Sequence, residues 1–384
     1  MIRAGLVRKL VCPVALGAAS FLLGSGSVLL GTCGPFTDVT DPVFCPFVLE
    51  AFTLGVTTGT TPTTYSPADP VSRLQMATFL SRSVDGVLRR GNPRGAAQKF
   101  WMPLDASVLG LTTVAAFPQR PVYDGADVWV PGNAAVSRVR ASDGKLLETW
   151  TGVATARGSV LAFGRVIITG ALLYQIDPAQ PAGAVTVVST ALPVSANGIA
   201  FDGRRIWTAN PGGPSVSIVT PGAALPWTVT TVTTGFVSPV GALFDGANVW
   251  VTQGGTSFVK LDSSGAILQN VTVGTKPAHP VFDGTNIWVP NNNTDSVSVV
   301  RASSGVVLQT LTGNGLSSPF ATAFDGERVM VTSADGVVSL WKAADLSPLG
   351  FLSTGASTFP EGVCSDGRNF WITFFNAAGK LARF

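Results

Sequence analysis

The chain has one histidine, His279 in TKPAHPVFDG, and four glutamates, Glu50, Glu148, Glu327 and Glu361. That inventory narrows the chemistry at once. A zinc or iron centre built on a histidine cluster needs several imidazoles, and one subunit supplies one. As a general base His279 would need an acidic group to orient it, and the sequence offers no evident one. Six aspartates recur in a single setting, Asp124, Asp202, Asp245, Asp283, Asp325 and Asp366, the first five in an Asp-Gly pair after an aromatic residue and the last in CSDG. A residue repeated in this way points outward from each unit and does not converge on one substrate, so these six are read as turn formers. The loop PNNNTDSVS at 290–298 offers Asn292, Asn293 and Asp295 as calcium ligands, with a solvated loop as the plainer reading. No phosphate loop, nucleophile elbow or HExxH pattern is present. No catalytic residue, metal site or cofactor is therefore assigned.

The elements that carry these residues repeat. AFDGRRIWTAN at 200–210 returns as LFDGANVWVTQ at 243–253 and VFDGTNIWVPN at 281–291. Aligning the phrase along the chain places its key apolar residue at Trp129, Ile167, Trp207, Trp250, Trp288, Met330 and Trp371, 38 to 43 residues apart. That period, with several short strands per unit, predicts an all-β fold, a seven-bladed β-propeller. Asp-Gly closes the first hairpin of each unit because glycine accepts positive φ and aspartate bonds its own turn. The tryptophan is a large apolar plate suited to the space between neighbouring sheets. Pro118, Pro239, Pro277, Pro319 and Pro360 stand six residues before a turn aspartate, where a blade crossover loses no ladder bond.

The seventh unit reaches Phe384 after three strands, and SVLGLTTVAAFP at 107–118 resembles a fourth strand. The propeller is accordingly expected over 107–384, closed by a strand at 108–114. Loops rich in Asn, Gly and Thr, among them PGNAAVS and ANPGGPSVS, fall on one rim, with Asn133, Asn210, Asn291, Asn292, Asn293 and Asp295 as candidate binding residues.

Composition sets the class. Charged residues make up 12% and the net charge is +3, with 46% hydrophobic residues. This is the balance of a secreted β-rich protein, and no Lys/Arg run interleaves with aromatics, so nucleic acid is not an expected partner. Arg3, Arg8 and Lys9 precede an apolar run, which reads as an export signal over 1–31. In an oxidising compartment Cys33 and Cys45, twelve residues apart, are disulfide candidates, and Cys364 in GVCSDG reads as an inert buried thiol. Residues 34–84 divide into two helical runs around a Gly/Thr/Pro loop. The first sets Phe47, Val48, Ala51, Phe52 and Leu54 at helical spacing; the second has Ser72 as its cap and carries Leu74, Met76, Phe79 and Leu80 inward. A basic linker is expected over 85–106.

FTDV at 36–39, LGVTTGT at 54–60, YSPADPVSR at 65–73 and the following MATFLSR resemble an S-layer homology repeat. The resemblance implies attachment to cell-wall glycan or another envelope component through a Thr-Arg-Ala-Glu-like motif, which here reads Ser72-Arg73-Leu74-Gln75. Arg73 and Gln75 are the candidate glycan or docking residues. The repeat region resembles the YVTN-type, surface-associated propellers. Streptogramin lyase-like and lactonase-like propellers place histidines and acidic residues near the central channel, which makes His279 the residue an enzyme would use. The expectation is an exported, non-catalytic structural or interaction protein of the cell surface or the extracellular space, prone to self-association into a layer or filament. The alternative is a propeller enzyme of lactonase or lyase type acting on a small extracellular substrate.

Overall fold

A computed structural model describes residues 33–53, 55–91, 110–193, 195–355 and 357–384. The export segment at 1–31, Leu54, linker residues 92–106, and Val108 and Leu109 of the expected closing strand lie outside them. The chain forms two units, Met1–Gly91 and Asn92–Phe384.

In the first unit, helix α1 spans Cys45–Thr53 and helix α2 spans Arg73–Gly91. A disulfide joins Cys33 to Cys45. Around it Phe36, Val39 and Val48 form a small core, with Tyr65 packed against it. Asp38 locks the two ends of this core together, accepting the backbone N–H of Tyr65 at 2.8 Å and of Ser66 at 2.7 Å. Helix α2 opens on a reciprocal cap: Ser72 N–H donates to Gln75 Oε1 at 2.8 Å, and Gln75 N–H donates to Ser72 Oγ at 3.2 Å.

The inward face expected for the second helix is corrected, apart from Phe79, which is half-buried. Leu74, Met76 and Leu80 are exposed, Leu74 by 82%, and so are Phe47 and Phe52. One repeat supplies enough apolar surface to bury the disulfide core and no second layer for α2 to lie on. The linker boundary is also corrected, since α2 continues through residues 85–91.

The second unit is the seven-bladed β-propeller that the repeats predict. Blade 4 shows the pattern: Ala242–Phe244, Val249–Thr252, Ser257–Leu261 and Ile267–Thr272 form a four-stranded antiparallel meander. Blades 1, 2 and 3 run over 122–151, 159–189 and 199–232; blades 5 and 6 run over 281–312 and 319–353. Blade 7 takes three strands from 360–383, and Gly110–Thr113 pairs antiparallel with Lys380–Arg383 as its outermost strand. No helix among the described residues is long and apolar enough to cross a membrane.

The hydrophobic core is divided among the seven blade boundaries. Alternate residues of a strand face opposite sides of its sheet. Trp250 therefore packs forward on Ile287 and Val289 of blade 5, while its neighbours Val249 and Val251 pack back on Trp207 of blade 3. The same division recurs at the other boundaries. Where the phrase lacks tryptophan, the next blade supplies the missing volume: Trp227 of blade 3 shares the core of Ile167, and Phe370 of blade 7 shares that of Met330.

Candidate functional site

The repeated phrase positions its own residues first. In each Asp-Gly turn the glycine has positive φ, +93° at Gly246, and one aspartate oxygen accepts two turn N–H groups. Asp245 Oδ1 takes those of Ala247 and Asn248 at 2.8 and 2.6 Å. The other oxygen has a role that sequence reasoning missed. Asp245 Oδ2 accepts the indole N–H of Trp250 at 2.7 Å, and Asp124, Asp202, Asp283 and Asp366 hold Trp129, Trp207, Trp288 and Trp371 in the same way at 2.7 to 2.8 Å. The signal was the constant spacing of five from Asp to Trp. In blade 6, where the Met330 side chain has no N–H, Arg328 bonds Asp325 instead.

Threonine two places after the tryptophan position carries the link to the hub. Thr252 Oγ1 accepts Gly241 N–H at 2.8 Å and donates to Ala278 O of blade 5 at 2.7 Å. Thr169 and Thr332 bridge to Asn197 O and Glu361 O of the following blades. The inner strands meet so closely here that a Cβ on Gly198 would lie 2.6 Å from Val240 O, and one on Gly362 2.6 Å from Gln119 O. Small residues are obligatory in most blades. Two blades depart from this, with Arg120 in blade 1 and His279 in blade 5.

Arg120 reaches across Gly158 of blade 2 to blade 3, where Nη2 donates to Asn197 O at 3.0 Å and to Asn197 Oδ1. Its Nη1 is buried without a partner. Burial lowers the Arg120 pKa to about 10, against the pull of Glu361 and with the push of Arg157. Burial likewise raises the Glu361 pKa, opposed by Arg120 and Arg157. His279 is only 8% exposed, its ring edge-on to Phe320 at 5.0 Å, and its Nε2 is buried without a partner. Burial, then Arg120, holds its pKa well below the ordinary histidine range. Its backbone joins blades 5 and 6: N–H donates to Phe320 O at 3.0 Å, and O accepts Thr322 Oγ1 at 2.9 Å. Arg120 of blade 1 is thus coupled electrostatically to Arg157, His279 and Glu361, from blades 2, 5 and 7. Sequence reasoning singled out His279 alone, because nothing local marks Arg120, Arg157 or Glu361 as part of that coupling.

The rim candidates separate. Asn210 and Asn291 are fully buried and are corrected from rim ligands to internal ties: Asn210 Nδ2 donates to Ser215 and Ser217 Oγ, and Asn291 Nδ2 to Ser296 and Ser298 Oγ. The Ser-Val-Ser pattern five and seven residues later was the available signal. Asn292 Nδ2 donates to Ser318 O at 3.1 Å and Asp295 Oδ1 accepts Ser318 N–H at 2.7 Å, so both are engaged in pinning their loop to blade 6. Asn133 and Asn293 are exposed. No metal-holding group of His, Cys, Asp or Glu is present among the described residues. Cys364 is half-buried against the blade 7–blade 1 core, and burial with Asp366 nearby pushes its thiol pKa up. In the first unit Arg73 is exposed, while Gln75 is engaged in the helix cap.

The family model described as S-layer homology domain matches residues 35–77. No curated protein matches the chain. Among solved structures, virginiamycin B lyase from Staphylococcus aureus, in selenomethionine form, is similar at TM-score 0.58 and 16% identity, over 72% of this chain and 99% of its own. A streptogramin B lyase gives 0.59 and 14%, over 72% and 97%. A catalytically inactive histidine-to-alanine variant of the Staphylococcus aureus enzyme, solved with quinupristin, gives 0.59 and 16%, over 72% and 99%. Likeness at this identity is likeness of fold. The chain thus carries an S-layer homology domain at residues 35–77, a mark of surface attachment, followed by a seven-bladed β-propeller.

Proposed function

We propose that this is an exported, non-catalytic protein of the cell surface, attached or docked by its S-layer homology module, with the propeller serving as a binding and assembly scaffold. The observation that carries this reading is the module at 35–77, in which Arg73 is exposed and Gln75 is taken up by the cap. Arg73 is then the residue left to contact an acidic or hydroxyl-rich wall polymer. Self-association draws support from the blade edges. Among the seven outermost strands only Leu146–Thr151 carries a charge, Glu148, although such edges ordinarily bear charged residues that prevent pairing with another chain.

Co-sedimentation of the full chain with purified cell-wall sacculi tests the attachment. Arg73→Ala should weaken binding about tenfold, and it leaves the Ser72–Gln75 cap in place. Binding that survives removal of residues 33–91 would sink the assignment.

The second reading is a propeller enzyme, a role that the lyases of like fold perform. In that case His279→Ala should abolish turnover of a small extracellular ester, lactone or lyase substrate, whereas a scaffold keeps its wall binding. The burial of His279, only 8% exposed, and the lack of a carboxylate bonded to its ring among the described residues support the scaffold.

A further inference from the structure

The first turn of blade 2 departs from the pattern in a way that the fold does not require. Where the other six blades place aspartate before the turn glycine, blade 2 places Phe163 before Gly164. Its key apolar residue is Ile167, whose side chain has no N–H for an aspartate to hold. Phe163 adopts a φ of +56°, a region that bulky side chains rarely enter, and none of the six turn aspartates shares it. The ring is nevertheless 45% exposed. It stands edge-on to Phe201 at 4.7 Å and to Trp227 at 5.9 Å, so a file of aromatic rings runs from the core between blades 2 and 3 out to the surface. There Phe163 borders a cleft of about 500 Å³ that is also lined by Arg204, Arg205, Thr220, Pro221 and Ser263. The two arginines differ. Arg205 is committed, with Nε and Nη2 on Asp202 Oδ2 at 3.2 and 3.0 Å and Nη1 on Ser263 O at 2.7 Å. Arg204 is exposed, and its guanidinium has no partner among the described residues.

We propose that this cleft binds an aromatic monocarboxylate, its ring bordered by Phe163 and Pro221 and its carboxylate held by Arg204. An exposed ring at the end of an aromatic file takes one more ring in the same edge-to-face or offset manner. A planar carboxylate matches the fork of a guanidinium. Asp202 balances the charge of Arg205, so Arg204 leaves a single positive charge, which suits a monoanion. A sugar is poorly served, because its hydroxyls need acceptors and no carboxylate or side-chain amide lines the cleft. This occupant requires no reaction and is independent of whether the module at 35–77 holds the wall.

Titration of the full-length protein with phenylacetate, followed by saturation transfer to the ring protons of the ligand, tests both halves of the site. Binding should be saturable with millimolar affinity. Phenylacetamide, which keeps the ring without the charge, and acetate, which keeps the charge without the ring, should each compete at least about tenfold more weakly. Arg204→Gln should weaken phenylacetate by about tenfold. Phe163→Gly, which removes the ring at a backbone conformation that glycine accepts, should weaken it by about threefold to tenfold. Should the glycine variant not fold, Arg204→Gln, at an exposed position, still decides. Four results would overturn the proposal: no saturable binding, phenylacetamide competing as well as phenylacetate, acetate doing so as at a bare anion site, or an unchanged affinity in Arg204→Gln.

Discussion

Four tryptophans, Trp129, Trp207, Trp250 and Trp371, are held by two kinds of polar contact at once. The indole N–H groups of Trp129, Trp207, Trp250, Trp288 and Trp371 are fixed by the turn aspartates, and in three of these blades the cross-strand partner is a cation that lies over the ring: Arg138 on Trp129 at 5.0 Å, Lys260 on Trp250 at 5.2 Å, and Arg383 on Trp371 at 5.8 Å. A buried indole would otherwise lose its hydrogen bond to water, so the aspartate makes the apolar plate usable in the core. This coupling has a pH signature. Burial alone would raise the pKa of Asp202 and Asp366, but the indole and turn N–H groups outweigh it and hold both carboxyls below the ordinary range. Because the folded-state value is depressed, this stabilisation is complete above the unfolded value of about 4 and is lost as pH falls through the folded value. Urea midpoints measured against pH should therefore fall on the acid side. The pair Asp202→Asn and Asp366→Asn should flatten that fall. It should also cost about 1–3 kcal/mol per site at neutral pH, since asparagine has one oxygen for two sets of donors. An acid limb identical to that of the parent would show that these aspartates do not carry the coupling.

At the level of the element, the blades differ most at their outer strands. The second strands are buried on both faces, as in Arg328–Ser333 and Phe370–Phe374, whereas Val307–Thr312 and Pro348–Ser353 are largely exposed. Leu268 and Leu308 stand 58% and 43% exposed on the outer strands of adjacent blades. Neither strand bears a charge that would deter pairing with a neighbouring chain. If assembly proceeds through these edges, Leu268→Lys with Leu308→Lys should shift sedimentation toward the monomer. The thermal midpoint should hardly change, because exposed positions of this kind alter stability by only about 0.5 kcal/mol. A double variant that associates as the parent does, or a parent that is monomeric at high concentration, rules these edges out. The helices of the first unit show a related limit on reading from sequence. Helical periodicity marked Leu74, Met76 and Leu80 as an apolar face, but periodicity does not show whether anything lies opposite.

For the molecule as a whole, legibility divides by distance along the chain. The blades were readable because each is a local problem: an Asp-Gly turn, a tryptophan five residues on, and branched residues alternating around it. The hub was not readable, since Arg120 is coupled to Arg157, His279 and Glu361 only after seven sheets are placed in a circle. Asn210 and Asn291 were misread for a similar reason, as polar residues in loop-like sequence whose partners lie on the next strand. Circular order depends in turn on Gly110–Thr113. Four register pairs hold this strand to Lys380–Arg383, Thr112 Oγ1 donates to Gly144 O of blade 1 at 2.5 Å, and Lys380 Nζ donates to Thr113 Oγ1 at 2.7 Å. Val114 follows directly, buried in the core shared by blades 7 and 1. Removing residues 1–113 exposes the third strand of blade 7 as an edge and gives up roughly four backbone hydrogen bonds, each worth about 1 kcal/mol. In a domain of this size about 4 kcal/mol corresponds to roughly 8 °C in thermal midpoint. Removing residues 1–101 spares the strand and should leave the propeller midpoint where it was. The two truncations share the loss of the first unit, so their difference isolates the closing ribbon. Coincident midpoints would mean that the ring holds without it, and that the packing across the blade 7–blade 1 boundary suffices.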